Sequence, residues 1–108
     1  MQQLVAKYHR RSRRVRMSQP LRLVPAVSRG GSFEEINTTS NVSREGLYFL
    51  TGRDHYHEGL RVLVTLPYHS PRDRSDCDYL AQVVRVELLE NGQWGIAIQL
   101  LSPVEGSQ

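Results

Sequence analysis

The sequence predicts an all-β domain, a six-stranded antiparallel β-barrel preceded by a basic, flexible N-terminal arm. Three observations predict it. Past residue 20 no segment carries a helical period of useful length. Six short apolar runs, several alternating every second residue, are separated by turn-forming residues. The 108 residues, 39% hydrophobic and 23% charged, suffice for one modest core and leave little room for a second. A barrel also hides sheet edges, which protects a small soluble domain from edge-to-edge pairing.

The elements follow in order. Residues 1–8 show no clear period. Residues 9–16, HRRSRRVR, are a charge run that does not pack into a core and is placed on an arm. Residues 21–27 are short and apolar and form the first strand, with Pro25 pushed to an edge or bulge because it cannot donate to a ladder. Residues 28–32 are a turn by composition. Residues 33–40 form the second strand and 41–46 a loop bounded by Asn and Gly. Residues 47–50 form the third strand, aromatic and aliphatic. In residues 60–66, Leu60, Val62, Val64 and Leu66 alternate with Arg61, Leu63 and Thr65, which is a strand period. The polar stretch 67–78 is long for a hairpin connection. Residues 80–89 are β-branched, Asn91-Gly92 is a hairpin signal, and 94–100 alternate bulky with small residues. The expected organisation is an arm at 1–19, a barrel at 20–101 and a C-terminal tail at 102–108.

The net charge of +3 hides an asymmetry. Residues 1–16 carry six basic residues (Lys7, Arg10, Arg11, Arg13, Arg14, Arg16) and no acid. The rest holds eight basic against eleven acidic residues. A basic arm on a mildly acidic body serves nucleic acid, an anionic membrane or a phosphate ligand, and composition alone does not choose.

Two motifs choose. Arg10-x-x-x-Arg14 precedes the first strand. Asn41-x-Ser43-x-x-Gly46 lies after the second. Arginine reads phosphate bidentately and stays charged. The same fork donates to guanine O6 and N7 and stacks over bases. Asn41 can accept through its side-chain oxygen and donate through its amide. Ser43 offers a hydroxyl. Gly46 permits the turn and a close approach of backbone to ligand.

This pair of motifs, with the final run Trp94-Gly95-Ile96-Ala97-Ile98-Gln99-Leu100, resembles the PilZ domain, a bacterial receptor module for cyclic di-GMP. The resemblance spans roughly residues 9–101. It implies that cyclic di-GMP is bound by Arg10, Arg14, Asn41, Ser43 and Gly46. Arg11 and Arg13 are secondary candidates, and His9, just before the motif, bears on how many ligand molecules fit. It further implies a ligand pressed against the barrel wall by the arm, whose ordering signals to an effector protein in motility, adhesion or exopolysaccharide control. No cofactor beyond that ligand is expected.

Plainer readings stand beside this one. An arginine run alone is more often a solvated or non-specific polyanion-binding arm, and Asn-x-Ser-x-x-Gly alone is most often an ordinary loop. A PilZ-like adaptor that does not bind the nucleotide is one alternative. A small RNA or single-stranded DNA barrel is another, weakened by the acidic body and an aromatic content of 7%. His55, His57, His69 and Cys77 lack a recognised metal spacing and read as surface residues. Cys77 between Asp76 and Asp78 is a poor nucleophile. Trp94 reads as a core or barrel-end residue. No catalytic constellation is present, so a binder is expected rather than an enzyme. One cysteine, no apolar stretch long enough to span a bilayer and no secretory pattern at the N-terminus lead to a cytoplasmic expectation.

Overall fold

The computed structural model describes residues 18–26, 32–68 and 77–104, and these form one antiparallel sheet curled into a half-barrel. Its strands are β1 (Pro20–Pro25), β2 (Glu35–Thr38), β3 (Asn41–Val42), β4 (Gly46–Thr51), β5 (Arg61–Thr65), β6 (Asp78–Leu88) and β7 (Trp94–Pro103). Their spatial order is β2-β1-β5-β6-β7-β4-β3. The sheet has seven strands where the sequence predicts six. The extra strand, β3, falls in the expected loop, because a tight turn at residues 43–46 folds Asn41 and Val42 back onto Tyr48 and Leu47.

The two outermost strands, β2 and β3, are consecutive in the chain. Residues 35–42 act as one bent strand that pairs with β1 on one side and with β4 on the other. The bend at Thr39-Ser40 therefore brings the sheet's two ends together. Side chains bridge the remaining seam, where the Asn37 amide donates to the Leu50 carbonyl at 2.9 Å.

Alternation fixes the faces. Val42, Leu47, Ile98 and Val83 stand in one cross-strand row and point inward. Leu23 and Val64 face each other across β1 and β5, also inward. Phe49, Leu21, Leu23 and Ile96 are fully buried. Each such side chain contributes about 1.5–3 kcal/mol of transfer free energy. Trp94, half-buried at the start of β7, packs against this core as expected of a barrel-end residue.

Pro25 resolves simply. The β1–β2 ladder ends at Leu23↔Glu35, so the prolyl nitrogen lies past the last pairing on that side. The β6–β7 hairpin turns through three residues rather than two. Leu89 N–H donates to Gln93 at 2.8 Å, and Gly92 takes a left-handed φ of 84°. Strand β7 continues to Pro103, past the expected barrel end at residue 101, because Tyr79 and Leu80 on β6 pair with Pro103 and Ser102. Most of the long 67–78 connection lies outside the described residues.

Candidate functional site

The Asn-x-Ser-x-x-Gly segment forms a hairpin on the barrel wall. Ser40 N–H donates to the Tyr48 carbonyl at 2.8 Å, and Ser43 N–H donates to the Gly46 carbonyl at 2.8 Å. Arg44 and Glu45 form the exposed tip. Ser43 Oγ accepts from Glu45 N–H at 3.2 Å, the geometry of a local Ser turn. Its own proton reaches the Gly46 carbonyl only at 3.5 Å, at the outer limit for a hydroxyl donor. The hydroxyl thus shapes the turn and keeps donor capacity for an outside acceptor.

Gly46 is required by packing against β7. A Cβ there would collide with the Ile98 carbonyl oxygen and lie 3.3 Å from its carbonyl carbon. Leu100 N–H also donates to the Glu45 carbonyl at 2.8 Å. The β7 backbone thus approaches this glycine closely and clamps the hairpin to the sheet.

Asn41 is half-buried and pairs in register with Tyr48. The row continues from Tyr48 to Ala97 on β7 and Arg85 on β6. These residues alternate with the inward row and so lie on the outer face.

The arginine motif, Arg10 and Arg14, lies outside the described residues, as do His9, Arg11 and Arg13. The point where the chain enters the barrel is described. Thr39 N–H donates to the Gln19 carbonyl at 2.9 Å, and Gln19 N–H donates to Thr39 Oγ1 at 2.9 Å. Thr39 is buried and precedes Asn41 by two residues. The root of the arm is thereby tied to the strand that leads into the second motif. Arg14 lies five positions before Gln19, a reach of at most about 18 Å.

Sequence reasoning missed three features. The first is this reciprocal Gln19–Thr39 pair. The second is an outer-face network in which Glu87 accepts from Tyr48 Oη at 3.2 Å and from Arg85 Nε at 3.0 Å. Burial and then the Glu87 carboxylate push the Tyr48 phenol above its ordinary pKa.

The third is a buried carboxylate. Glu35 is 5% exposed and accepts from Tyr56 Oη at 2.6 Å, Thr51 Oγ1 at 2.7 Å and Asn37 Nδ2 at 2.9 Å. Burial, followed by the bond to Glu35, drives the Tyr56 phenol well up. His55 stacks on Phe33 with centroids 3.8 Å apart. Its Nε2 is buried without a hydrogen bond, 3.9 Å from Glu35 Oε1. His55 and His57 lie on an irregular segment, so they do not share a strand face, and His55 is half-buried where a surface residue is expected. Among the described residues no group of His, Cys, Asp or Glu could hold a metal ion. Among the described residues no helix is long and apolar enough to cross a membrane.

A curled antiparallel sheet with a polar hairpin on its wall defines a small β-barrel module. The PilZ domain profile matches residues 8–108, and the chain belongs to the PilZ domain family, a family of cyclic di-GMP receptors and adaptors. Among solved structures, it is similar to the Bacillus subtilis inhibitor of motility, MotI/DgrA. The TM-score is 0.65 at 15% identity, over 93% of this chain and 46% of that one. The chain thus spans about half the length of that protein, and a likeness at this identity concerns the fold. Among curated proteins no sequence match is found.

Proposed function

We infer that this PilZ domain binds cyclic di-GMP and passes the binding event to a partner protein. The observation that carries the reading is the Gln19–Thr39 pair. It ties the root of the arginine arm beside the strand that opens the Asn41 hairpin. That tie supports the reading that two motifs, weak singly, serve one ligand.

In this reading Arg10 and Arg14 hold phosphate and guanine through charge-assisted, planar contacts. Asn41 reads the base edge through its amide. Ser43 donates its hydroxyl proton to a phosphate or base acceptor. Gly46 fixes the hairpin against β7 so that both side chains are presented. Arg11 and Arg13 are secondary ligand contacts, and His9 influences how many molecules fit. Ordering of the arm costs entropy and changes the surface that a partner meets. The protein acts as a binder rather than as an enzyme, in a bacterial cytoplasmic setting, upstream of motility, adhesion or exopolysaccharide output.

The test is calorimetric titration with cyclic di-GMP, with GTP and linear diguanylate as controls. Selective binding at micromolar or tighter affinity, lost in Arg14→Ala with an unchanged circular-dichroism spectrum, supports the reading. Silence at two temperatures, with a partner captured equally by wild type and Arg10→Ala/Arg14→Ala, replaces it with a nucleotide-independent adaptor.

A further inference from the structure

The outer face next to the Asn41 hairpin carries an aromatic ring held in an unusual pose. Tyr48 is the direct cross-strand neighbour of Asn41 on one side and of Ala97 on the other. Its ring does not stand away from the sheet. The hydroxyl end reclines over Gly95 on β7, where a glycine Cβ would lie 2.7 Å from Tyr48 Cζ and would collide with the hydroxyl itself. The Tyr48 hydroxyl then reaches Glu87 on β6, at 3.2 Å, across the whole width of β7. Glu87 stands opposite Gly95 in the register and is itself held by Arg85 at 3.0 Å. Three strands thus cooperate to lay one aromatic ring along the wall. Tyr48 as a residue remains partly exposed.

An aromatic ring over a strand glycine is a known packing device, and here a carboxylate at the far end adds a second hold on the ring. The core is closed by the inward rows, and Tyr48 lies on the other face. A phenol that only covered Gly95 would need no carboxylate at its far end. What the network yields is a ring with little freedom to turn, beside a hairpin whose amide and hydroxyl can meet polar groups. A base needs such a surface in order to stack, because a preset ring loses little entropy on binding.

We propose that Tyr48 is the stacking platform for a guanine base of the bound dinucleotide, with Glu87 as the residue that positions its ring. This rests on the receptor reading above and adds the surface on which one base lies. The row Asn41–Tyr48–Ala97–Arg85 crosses four strands, about 14 Å at ordinary strand spacing. A base on Tyr48 has Asn41 at one end of this row and the Arg85 guanidinium at the other. Gly95 and Ala97 keep the intervening strand low enough for the ring and its base to lie flat.

The experiment is titration of wild type, Tyr48→Phe and Tyr48→Leu with cyclic di-GMP, each checked by thermal melting. Tyr48→Phe keeps the π-face but breaks the bond to Glu87, so it should weaken binding no more than Glu87→Ala does and less than Tyr48→Leu does. Tyr48→Leu keeps an apolar cover over Gly95 without a π-face and should raise Kd about tenfold or more. Proton NMR of the wild-type complex provides an independent reading, with an upfield ring-current shift of one guanine H8 and a nuclear Overhauser contact to the Tyr48 ring. Glu87→Ala, which frees the ring, should weaken that contact and the affinity together, and Glu87→Gln should restore both in part. Wild-type affinity in a folded Tyr48→Leu variant, or absence of the contact in the wild-type complex, overturns the proposal and leaves the receptor reading standing. Failure of wild type to bind removes the receptor reading and this inference with it.

Discussion

Tyr56 donates to Glu35 at 2.6 Å across the barrel seam, and both residues are buried. The pair joins β2 to the irregular segment after β4, two parts of the chain that share no backbone ladder. With Thr51 and Asn37 on the other carboxylate oxygen, Glu35 holds the curled sheet closed where hydrogen-bonded strands do not. A buried carboxylate is costly unless its oxygens are satisfied, and here both accept.

Removing that hydroxyl should therefore cost stability. Tyr56→Phe keeps the ring and its edge contact with Phe49 but leaves Glu35 Oε1 short of its donor. The expected loss is about 1.5–3 kcal/mol, the range for a hydrogen bond to a charged group. Urea denaturation measures it, and an unchanged midpoint would remove Glu35 as the seam's anchor.

Acid should loosen the same seam through His55. Burial lowers its pKa below the ordinary histidine value and outweighs the opposing pull of Glu35; Arg53 lowers it further and Asp54 raises it. The unfolded chain therefore takes up a proton at a higher pH than the folded one. The stabilising contribution is present in full above about pH 6.5 and is lost as pH falls through the folded pKa. Urea midpoints at pH 7.5 and 5.5 should differ in that direction, and His55→Phe should flatten the difference. An identical slope in the variant would assign the pH dependence to another group.

Gly46→Ala places a Cβ against the Ile98 carbonyl, and the β7 backbone must move to admit it. A stability loss of about 1–3 kcal/mol is expected, as for other overpacked sites. Melting curves should show it without ligand present. A variant as stable as wild type would mean that the hairpin can lift from β7 without cost.

Thr39→Val removes the oxygen that accepts from Gln19 N–H while nearly preserving volume. Stability should fall by about 1 kcal/mol. Cyclic di-GMP affinity should fall as well, because the arm's root is no longer fixed beside the hairpin. A variant with reduced stability but full affinity would separate the clamp from binding.

The strands were legible because alternation is local. Val62 and Val64 on β5, and Ile96 and Ile98 on β7, show the inward period within five residues, and all four are buried. The hairpin motif was legible because turn chemistry is also local. Ser43 and Gly46 mark the turn by residue type, although the two residues of β3 are too few to carry a strand period.

Glu35 shows where that legibility ends. In the sequence it is one of two adjacent acids in a strand-like run, indistinguishable from a solvated residue. Its partners Thr51 and Tyr56 lie 16 and 21 residues away, and only the bend at Thr39-Ser40 brings them to it. Gly46 is similar. Its place in a turn is local information, but the Ile98 carbonyl that forbids a side chain comes from another strand. Tyr48 and Glu87 are 39 residues apart and meet because β7 runs between their strands.

The sequence by itself determined the strand periods, the inward faces and the two motifs, since each depends on side-chain alternation or turn preference within a few residues. Tertiary structure alone decided which polar groups satisfy one another, where the sheet closes and which ring lies beside the hairpin. Those outcomes depend on register and curvature, which bring distant residues within hydrogen-bond range and leave no periodic trace along the chain.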